Sequence, residues 1–206
     1  MSQNYNLRQT LLDLRSKQDY NQMRRGALLM RGRLFTWLNS YRSQLNESQR
    51  NRPLHIAAFW ALENEPDLGP LLTQWAEEDT IHISLPCMVD ETSPLIFKPW
   101  DSSTTMKTAA FGVQEPDTTV IAPNPDIILV PTLGFTRTGD RIGYGKGYYD
   151  RTLAHFKAQN HEAISIGIAW AVGDLSNYNY SPADHDQPLH SVLTDKGWAV
   201  PAPTVS

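Results

Sequence analysis

The residues best suited to chemistry lie in one run, VPTLGFTRTGDRIGYGKGYYDR, at positions 130–151. Gly143, Gly145 and Gly147 alternate there, with Lys146 between the last two and Arg141 just ahead of them. Alternating glycines let backbone N–H groups approach an anion closely, and a helix N-terminus adds unsatisfied donors and the positive end of a dipole. The run leads into a segment that reads as a helix, YYDRTLAHFKAQ at 148–159. Glycines, two cations and a helix start together describe phosphate-binding chemistry. A turn that uses glycine only to pack tightly has the same spacing. The run is not a Walker A loop, because Gly147 and not Ser or Thr follows Lys146. It is not a dinucleotide fingerprint either, because about a dozen residues separate the preceding strand from the first of these glycines. Asp150 falls just inside the helix, where a carboxylate can hold a hard cation together with phosphate and water oxygens; a helix dipole also favours an acid in that first turn. ADHDQPLH at 183–190 offers Asp184 and Asp186 as a second carboxylate.

Other chemistries find less support. The six histidines show no HExxH or Cys/His zinc spacing, and no GxSxG elbow is present. His185 and His190 flank the acidic loop and are candidates to line a site. Cys87, the single cysteine, follows Pro86 and reads as a small buried residue rather than a nucleophile. One cysteine also excludes an intramolecular disulfide framework and a multi-cysteine zinc site.

The elements that must position these residues are legible in outline. The chain has 206 residues, 40% apolar and 19% charged, enough for a hydrophobic core and too apolar for a disordered chain. No apolar run approaches the roughly 20 residues of a spanning helix, and the start has no signal-like stretch, so a cytoplasmic protein without a membrane partner is expected. Residues 6–18 place Leu7, Leu11 and Leu14 on one helical stripe, with Arg8 and Arg15 on another face. Residues 22–40 predict a second helix, weakened by Gly26 and Gly32, and 41–53 a loop. From 54 onwards apolar runs alternate with helical segments. Strands are expected at 54–62, 80–88, 94–100, 126–131 and 164–171, helices at 68–79 and 148–159, and loop at 101–125. A short end piece surrounds Trp198. This alternation predicts an α/β fold, a three-layer α/β/α arrangement with a mostly parallel sheet and helices on both faces. Residues 1–206 are read as one domain, helical and basic over 1–52 and α/β over 54–200. Sites in such folds lie at the carboxyl ends of strands, which points to the loop after 126–131.

The charge is uneven. The net charge is -4, yet residues 1–52 carry ten basic side chains against three acidic ones. That balance suits an anionic ligand; arginine on solvated helix faces gives it equally well. Nucleic acid is disfavoured by the acidic remainder and by the thin aromatic interleaving of the basic part.

The run from Asp126 to Arg151 resembles the 5-formyltetrahydrofolate cyclo-ligase (5,10-methenyltetrahydrofolate synthetase) family. Leu7-Arg8, AFWALENEPD at 58–67, FGVQEP at 111–116 and PADHDQPLHSVLT at 182–194 extend the likeness in order along nearly the whole chain. The 141–151 motif is its specific part.

The resemblance implies an ATP- and Mg2+-dependent conversion of 5-formyltetrahydrofolate, polyglutamylated or not, to 5,10-methenyltetrahydrofolate with release of ADP and phosphate, by a monomer. It implies ATP contacts at Arg8, Arg141, Gly143, Tyr144, Gly145, Lys146, Gly147, Tyr148 and Tyr149, with Lys146 and Arg141 as the catalytic cations. Folate contacts fall on Trp60, Glu65 and the stretch Tyr144, Gly145, Lys146, Gly147 and Tyr148, and metal contacts on Asp150 and Asp186. Trp60 is expected to end a buried strand as an aromatic wall for a pterin, and Glu65 to meet the pterin's donor edge or to orient N10. Two positions depart from the family pattern: residues 3–6 are Gln-Asn-Tyr-Asn where a Lys is usual, and His190 stands where an acid is common. The first departure motivates an alternative, a non-catalytic folate- or nucleotide-binding relative of the same fold. A sugar-phosphate or acyl-transferring enzyme on a similar sheet is a further one.

Overall fold

The structure is a computed structural model that describes residues 3–205; the side chains of residues 3–5 lie outside the described ones. Its centre is the strand β6, Ile127–Pro131, which holds the middle place in a seven-stranded sheet. Ile127, Ile128, Leu129 and Val130 are each at most 1% exposed, as expected of a strand covered on both faces. On one side of it stand β1 (Leu54–Ala57), β2 (Ile81–Cys87) and the edge strand β3 (Ile96–Trp100). On the other stand β9 (Ile164–Ala169), β10 (Ser191–Thr194) and the edge strand β11 (Gly197–Val200). The five inner strands are parallel, and both edge strands run antiparallel.

Helices cover both faces. Ile127 and Leu129 point to one side, towards α2 (Tyr20–Gln44) and α4 (Gly69–Ala76). Ile128 and Val130 point to the other, where Phe156 of α5 (Tyr148–Ala158) packs on them with Phe97 and Val192. The two-residue period of the strand therefore divides its side chains between two cores. Helix α2 buries Ala27, Met30, Leu34, Trp37 and Leu38, a stripe at three- and four-residue spacing, and Asp19 caps it by accepting from the Gln22 N–H. Gly26 fits this helix because a β-carbon there would come within 2.8 Å of Asp195 and Trp170. Nothing in the structure accounts for Gly32, and Leu28 of the same helix is exposed.

Helix α1 (Gln3–Ser16) does something the sequence pattern does not reveal. Its Leu7 and Leu11 pack on Leu133, Ile142 and Leu175, a small third core outside the main sheet. Residues 132–147, which the sequence predicts as a glycine-rich loop, contain a hairpin of β7 (Gly134–Phe135) and β8 (Arg141–Ile142) that carries this core. Other expectations shift as well. The strand expected over 54–62 ends at Ala57, and Ala58–Leu62 leave the sheet. The loop expected at 41–53 holds the end of α2 and a short helix, α3 (Glu47–Arg50), closed by an Asn46–Gln49 capping box. Residues 101–125 hold a hairpin of β4 (Met106–Thr108) and β5 (Gln114–Pro116). The end piece around Trp198 is β11.

Candidate functional site

In chain order β1 is followed by β2 on one side, whereas β6, β9 and β10 build outwards on the other. The order reverses between β1 and β6, and ligand crevices form there, beyond the strands' carboxyl ends. A cleft of about 600 Å³ opens at that point, bordered by Phe59 and Trp60 after β1, Pro86 and Met88 at and beyond the end of β2, and Pro131 at the end of β6. The glycine run lines its other wall.

Local conformation explains that run. Gly145 has φ +91° and Gly147 φ +68°, both in the region that favours glycine. Gly147 is the N-cap of α5 and supplies no side-chain cap, so the first turn of the helix presents its N–H donors uncapped at the cleft. A β-carbon on Gly145 would sit 3.0 Å from the Arg8 guanidinium, so the backbone and that arginine share a tight space. Arg8 Nε donates to the Gly143 carbonyl at 2.8 Å, and Arg15 Nη1 donates to the Tyr144 hydroxyl at 2.5 Å. The two arginines expected on one face of α1 thus both rest on the glycine run.

Arg141 is 7% exposed. Its Nη2 donates to Asp150 Oδ1 at 2.8 Å, and its guanidinium lies 5.9 Å from the Tyr149 ring. Its Nε is the one buried side-chain nitrogen or oxygen without a partner among the described residues. A cation with a buried donor still free, beside an uncapped helix start, is poised for an anionic ligand. Lys146 is exposed, its ammonium 5.2 Å from the ring of Phe111.

The acidic side chains divide between roles. Asp150 also accepts from the Gln187 N–H at 3.3 Å, and Asp186 Oδ2 accepts from the Ala183 N–H at 2.9 Å. Both aspartates border the cleft. No group of three or more His, Cys, Asp or Glu side chains converges among the described residues. The chain therefore offers two carboxylates, and a cation held by them would complete its shell with phosphate and water, which is the habit of Mg2+. His185 borders the cleft as well. His190 does not; its Nδ1 accepts from the Ser165 N–H at 3.0 Å and pairs with the Ser165 hydroxyl.

Glu65 is held by the chain. Its side chain is 4% exposed, Oε2 accepts from the Leu62 N–H at 2.8 Å, Oε1 accepts a short bond from the Tyr144 hydroxyl, and Arg15 lies 4.0 Å away. Burial first, and then the Glu65 charge, push the phenols of Tyr144 and Tyr149 well above their ordinary range, so both stay protonated donors. Trp60, expected to close a strand, instead stands free of the sheet, 37% exposed and 5.7 Å from Trp100. Tyr148 lies beneath the Arg151 guanidinium at 4.9 Å and packs on the core of its side of the sheet.

Arg8, Trp60, Glu65, Arg141, the 143–150 run, His185 and Asp186 border this one cleft, whereas Asp184 and His190, also candidates from the sequence, do not. Sequence reasoning missed Arg15 as a contact of the run, Phe111 beneath Lys146, and Glu115, which is 5% exposed in the cleft wall. The i, i+7 spacing of Arg8 and Arg15 held the first signal; the other two lie in FGVQEP at 111–116, a stretch of the family likeness to whose side chains the sequence assigns no role.

The chain matches the model of the 5-formyltetrahydrofolate cyclo-ligase family over residues 1–195. It is 30% identical over 156 residues to the 5-formyltetrahydrofolate cyclo-ligase of Haemophilus influenzae, covering 72% of this chain and 80% of that one. Its fold is similar to that of the 5,10-methenyltetrahydrofolate synthetase of Aquifex aeolicus, with TM-score 0.73 and 23% identity over 100% of this chain and 96% of the other. The Mycoplasma pneumoniae synthetase gives TM-score 0.70 and 20% identity over 93% and 98%.

Proposed function

This chain belongs to the 5-formyltetrahydrofolate cyclo-ligase family, a family of folate enzymes, and from that premise we propose that it converts 5-formyltetrahydrofolate to 5,10-methenyltetrahydrofolate with ATP and Mg2+. Residues 1–206 act as one unit and as a monomer in this reading.

The reaction runs in two steps. The formyl oxygen attacks the γ-phosphorus of ATP, the bond to the bridging oxygen breaks, and ADP leaves. N10 then attacks the activated formyl carbon and gives up its proton to the departing phosphate as the carbon–oxygen bond breaks, which closes the ring. Phosphoryl transfer asks a protein mainly for positioning and charge neutralisation. The uncapped turn of α5 and the backbone of 143–147 donate to phosphate oxygens. Arg141 brings a buried charge with a free donor, and Lys146 a mobile one. Arg8 holds the run's shape through the Gly143 carbonyl and faces the same space. Asp150 and Asp186 would hold Mg2+, which neutralises phosphate charge when bound. The apolar wall, with Phe59, Trp60, Met88 and Leu95, takes the flat pterin and keeps water from the activated formyl group.

The observation that carries this reading is Arg141: a buried guanidinium with an unpartnered Nε, tied to Asp150 at the mouth of an uncapped helix. The test mixes purified protein with 5-formyltetrahydrofolate, ATP and Mg2+ and follows methenyl absorbance. Turnover that depends on all three is expected, with losses of at least a hundredfold in Lys146→Ala and Asp150→Ala. No turnover by folded protein overturns the activity; full turnover in both variants overturns the site. Binding of the folate without turnover would favour a non-catalytic relative.

A further inference from the structure

Glu115 of β5 is 5% exposed and borders the apolar part of the cleft beside Met88, Leu95 and Val113. Its Oε1 accepts from the Met88 N–H at 2.9 Å. None of the ion pairs among the described residues involves it. A carboxylate taken out of water, with the Met88 N–H and the Cys87 thiol as donors and no ion pair, is still costly, and a ligand that brings N–H donors lowers that cost. The neighbouring Cys87 thiol adds no charge; burial, reinforced by Glu115, pushes its pKa up to about 11.

A carboxylate is best met by two parallel N–H groups in one plane. The pterin ring of a folate carries such a pair, N3–H and the 2-amino group, on the edge of a flat, largely apolar ring. The other buried carboxylate of the cleft, Glu65, already has both oxygens engaged by Leu62 and Tyr144. We propose that Glu115, and not Glu65, reads the 2-amino-4-oxo edge of the pterin, which makes β5 the strand that sets substrate specificity. Glu65 then serves to fix the glycine run through Tyr144. This inference rests on the folate reading above.

The test compares 5-formyltetrahydrofolate with its 2-desamino-2-methyl analogue, which lacks one of the two donors. Binding and KM are measured for the wild type, Glu115→Gln and Glu65→Gln, with thermal melting to establish folding and the ATP KM as a control. A charged hydrogen bond of this kind is worth roughly tenfold to a hundredfold in affinity. The wild type is expected to lose about that much on the analogue. Glu115→Gln, whose amide opposes the ligand's donors, should lose about as much on the parent folate and little more on the analogue. Its ATP KM should stay within about twofold. Glu65→Gln should keep the wild-type ratio between the two folates. Equal wild-type affinity for both overturns the assignment without any variant. So does discrimination that disappears in Glu65→Gln and survives in Glu115→Gln. If the wild type neither binds nor turns over the parent folate, the proposed function falls with it; turnover with a flat ratio removes only the role of Glu115.

Discussion

One wall of the cleft comes from the consecutive run 141–150 with α1 laid across it, whereas the facing wall is collected from the segment after β1, the end of β2, the residues before β3, and β5. The first wall is polar and cationic, built on backbone donors, Arg8, Arg141 and Lys146. The second is apolar apart from two buried carboxylates, Glu65 and Glu115. The contrast teaches how each part is held. The run 141–150 is short and glycine-rich, so its shape must be imposed from outside, by Arg8 on Gly143, Arg15 on Tyr144 and Tyr180, whose hydroxyl donates to the Arg141 carbonyl at 3.1 Å. The apolar wall has ties of its own, the Met88 N–H to Glu115 and the Leu95 N–H to the Thr152 hydroxyl, but they fasten segments that the adjoining strand ends already place.

If the two walls act separately, damage to one should spare the ligand of the other. The largest effect is expected for Arg141→Ala. It leaves Asp150 without its cation in a half-buried place, so turnover should fall about a thousandfold and stability by about 2–4 kcal/mol. Methenyl absorbance at saturating substrates and a denaturant melt measure the two losses; a variant with wild-type turnover would remove Arg141 from the reaction. Gly145→Ala comes next. Its φ of +91° disfavours a side chain, and its β-carbon would press on Arg8. The ATP KM should rise about tenfold with the folate KM within twofold, and equal rises in both would mean that the walls are coupled. Trp60→Ala is the mirror case. The folate KM should rise about tenfold, read from initial rates at fixed ATP, while the ATP KM stays put.

The smallest effect on function concerns Cys87, behind the apolar wall. Its folded-state pKa of about 11 lies above the ordinary thiol value, so the native state keeps a proton that the unfolded chain gives up. Stability is therefore full below about pH 9 and declines as pH rises towards 11, by an amount on the order of 1–3 kcal/mol. Cys87→Ala should flatten that decline in a pH series of urea melts without moving the ATP KM; a decline as steep as that of the wild type would assign it to other groups.

The basic bias of the first 52 residues resolves in the same terms. Arg31 donates to the Asp67 carbonyl, Arg33 to the Asp195 carbonyl, Arg42 to Glu78 and Thr80, and Arg52 to Asp126. These arginines fasten α2 and the start of β1 to the rest of the chain. Among the described residues of this segment only Arg8 borders the cleft, and Arg15 reaches the Tyr144 hydroxyl of its wall. Composition registered an excess of positive charge but could not divide it between ligand and scaffold, because a guanidinium serves a carbonyl oxygen as readily as a phosphate. The helix of 22–40 was legible from its stripe, and Gly26 weakened that reading only because the close approach of Trp170 and Asp195 is invisible along the chain.

The sequence by itself determined the parallel core, because continuous apolar runs such as 126–131 can be buried only on both faces. It determined that alternating glycines, two cations and a helix start are contiguous over 141–150, the features on which the proposed phosphate-binding role rests. The tertiary structure decided where the 54–62 run leaves the sheet and frees Trp60. It decided that Glu65 is spent on Tyr144 and Leu62, that His190 serves Ser165, and that Glu115 alone faces the apolar slot without a countercharge. Those outcomes depend on contacts between residues distant along the chain, and no local period or spacing encodes which buried carboxylate is left without an ion pair.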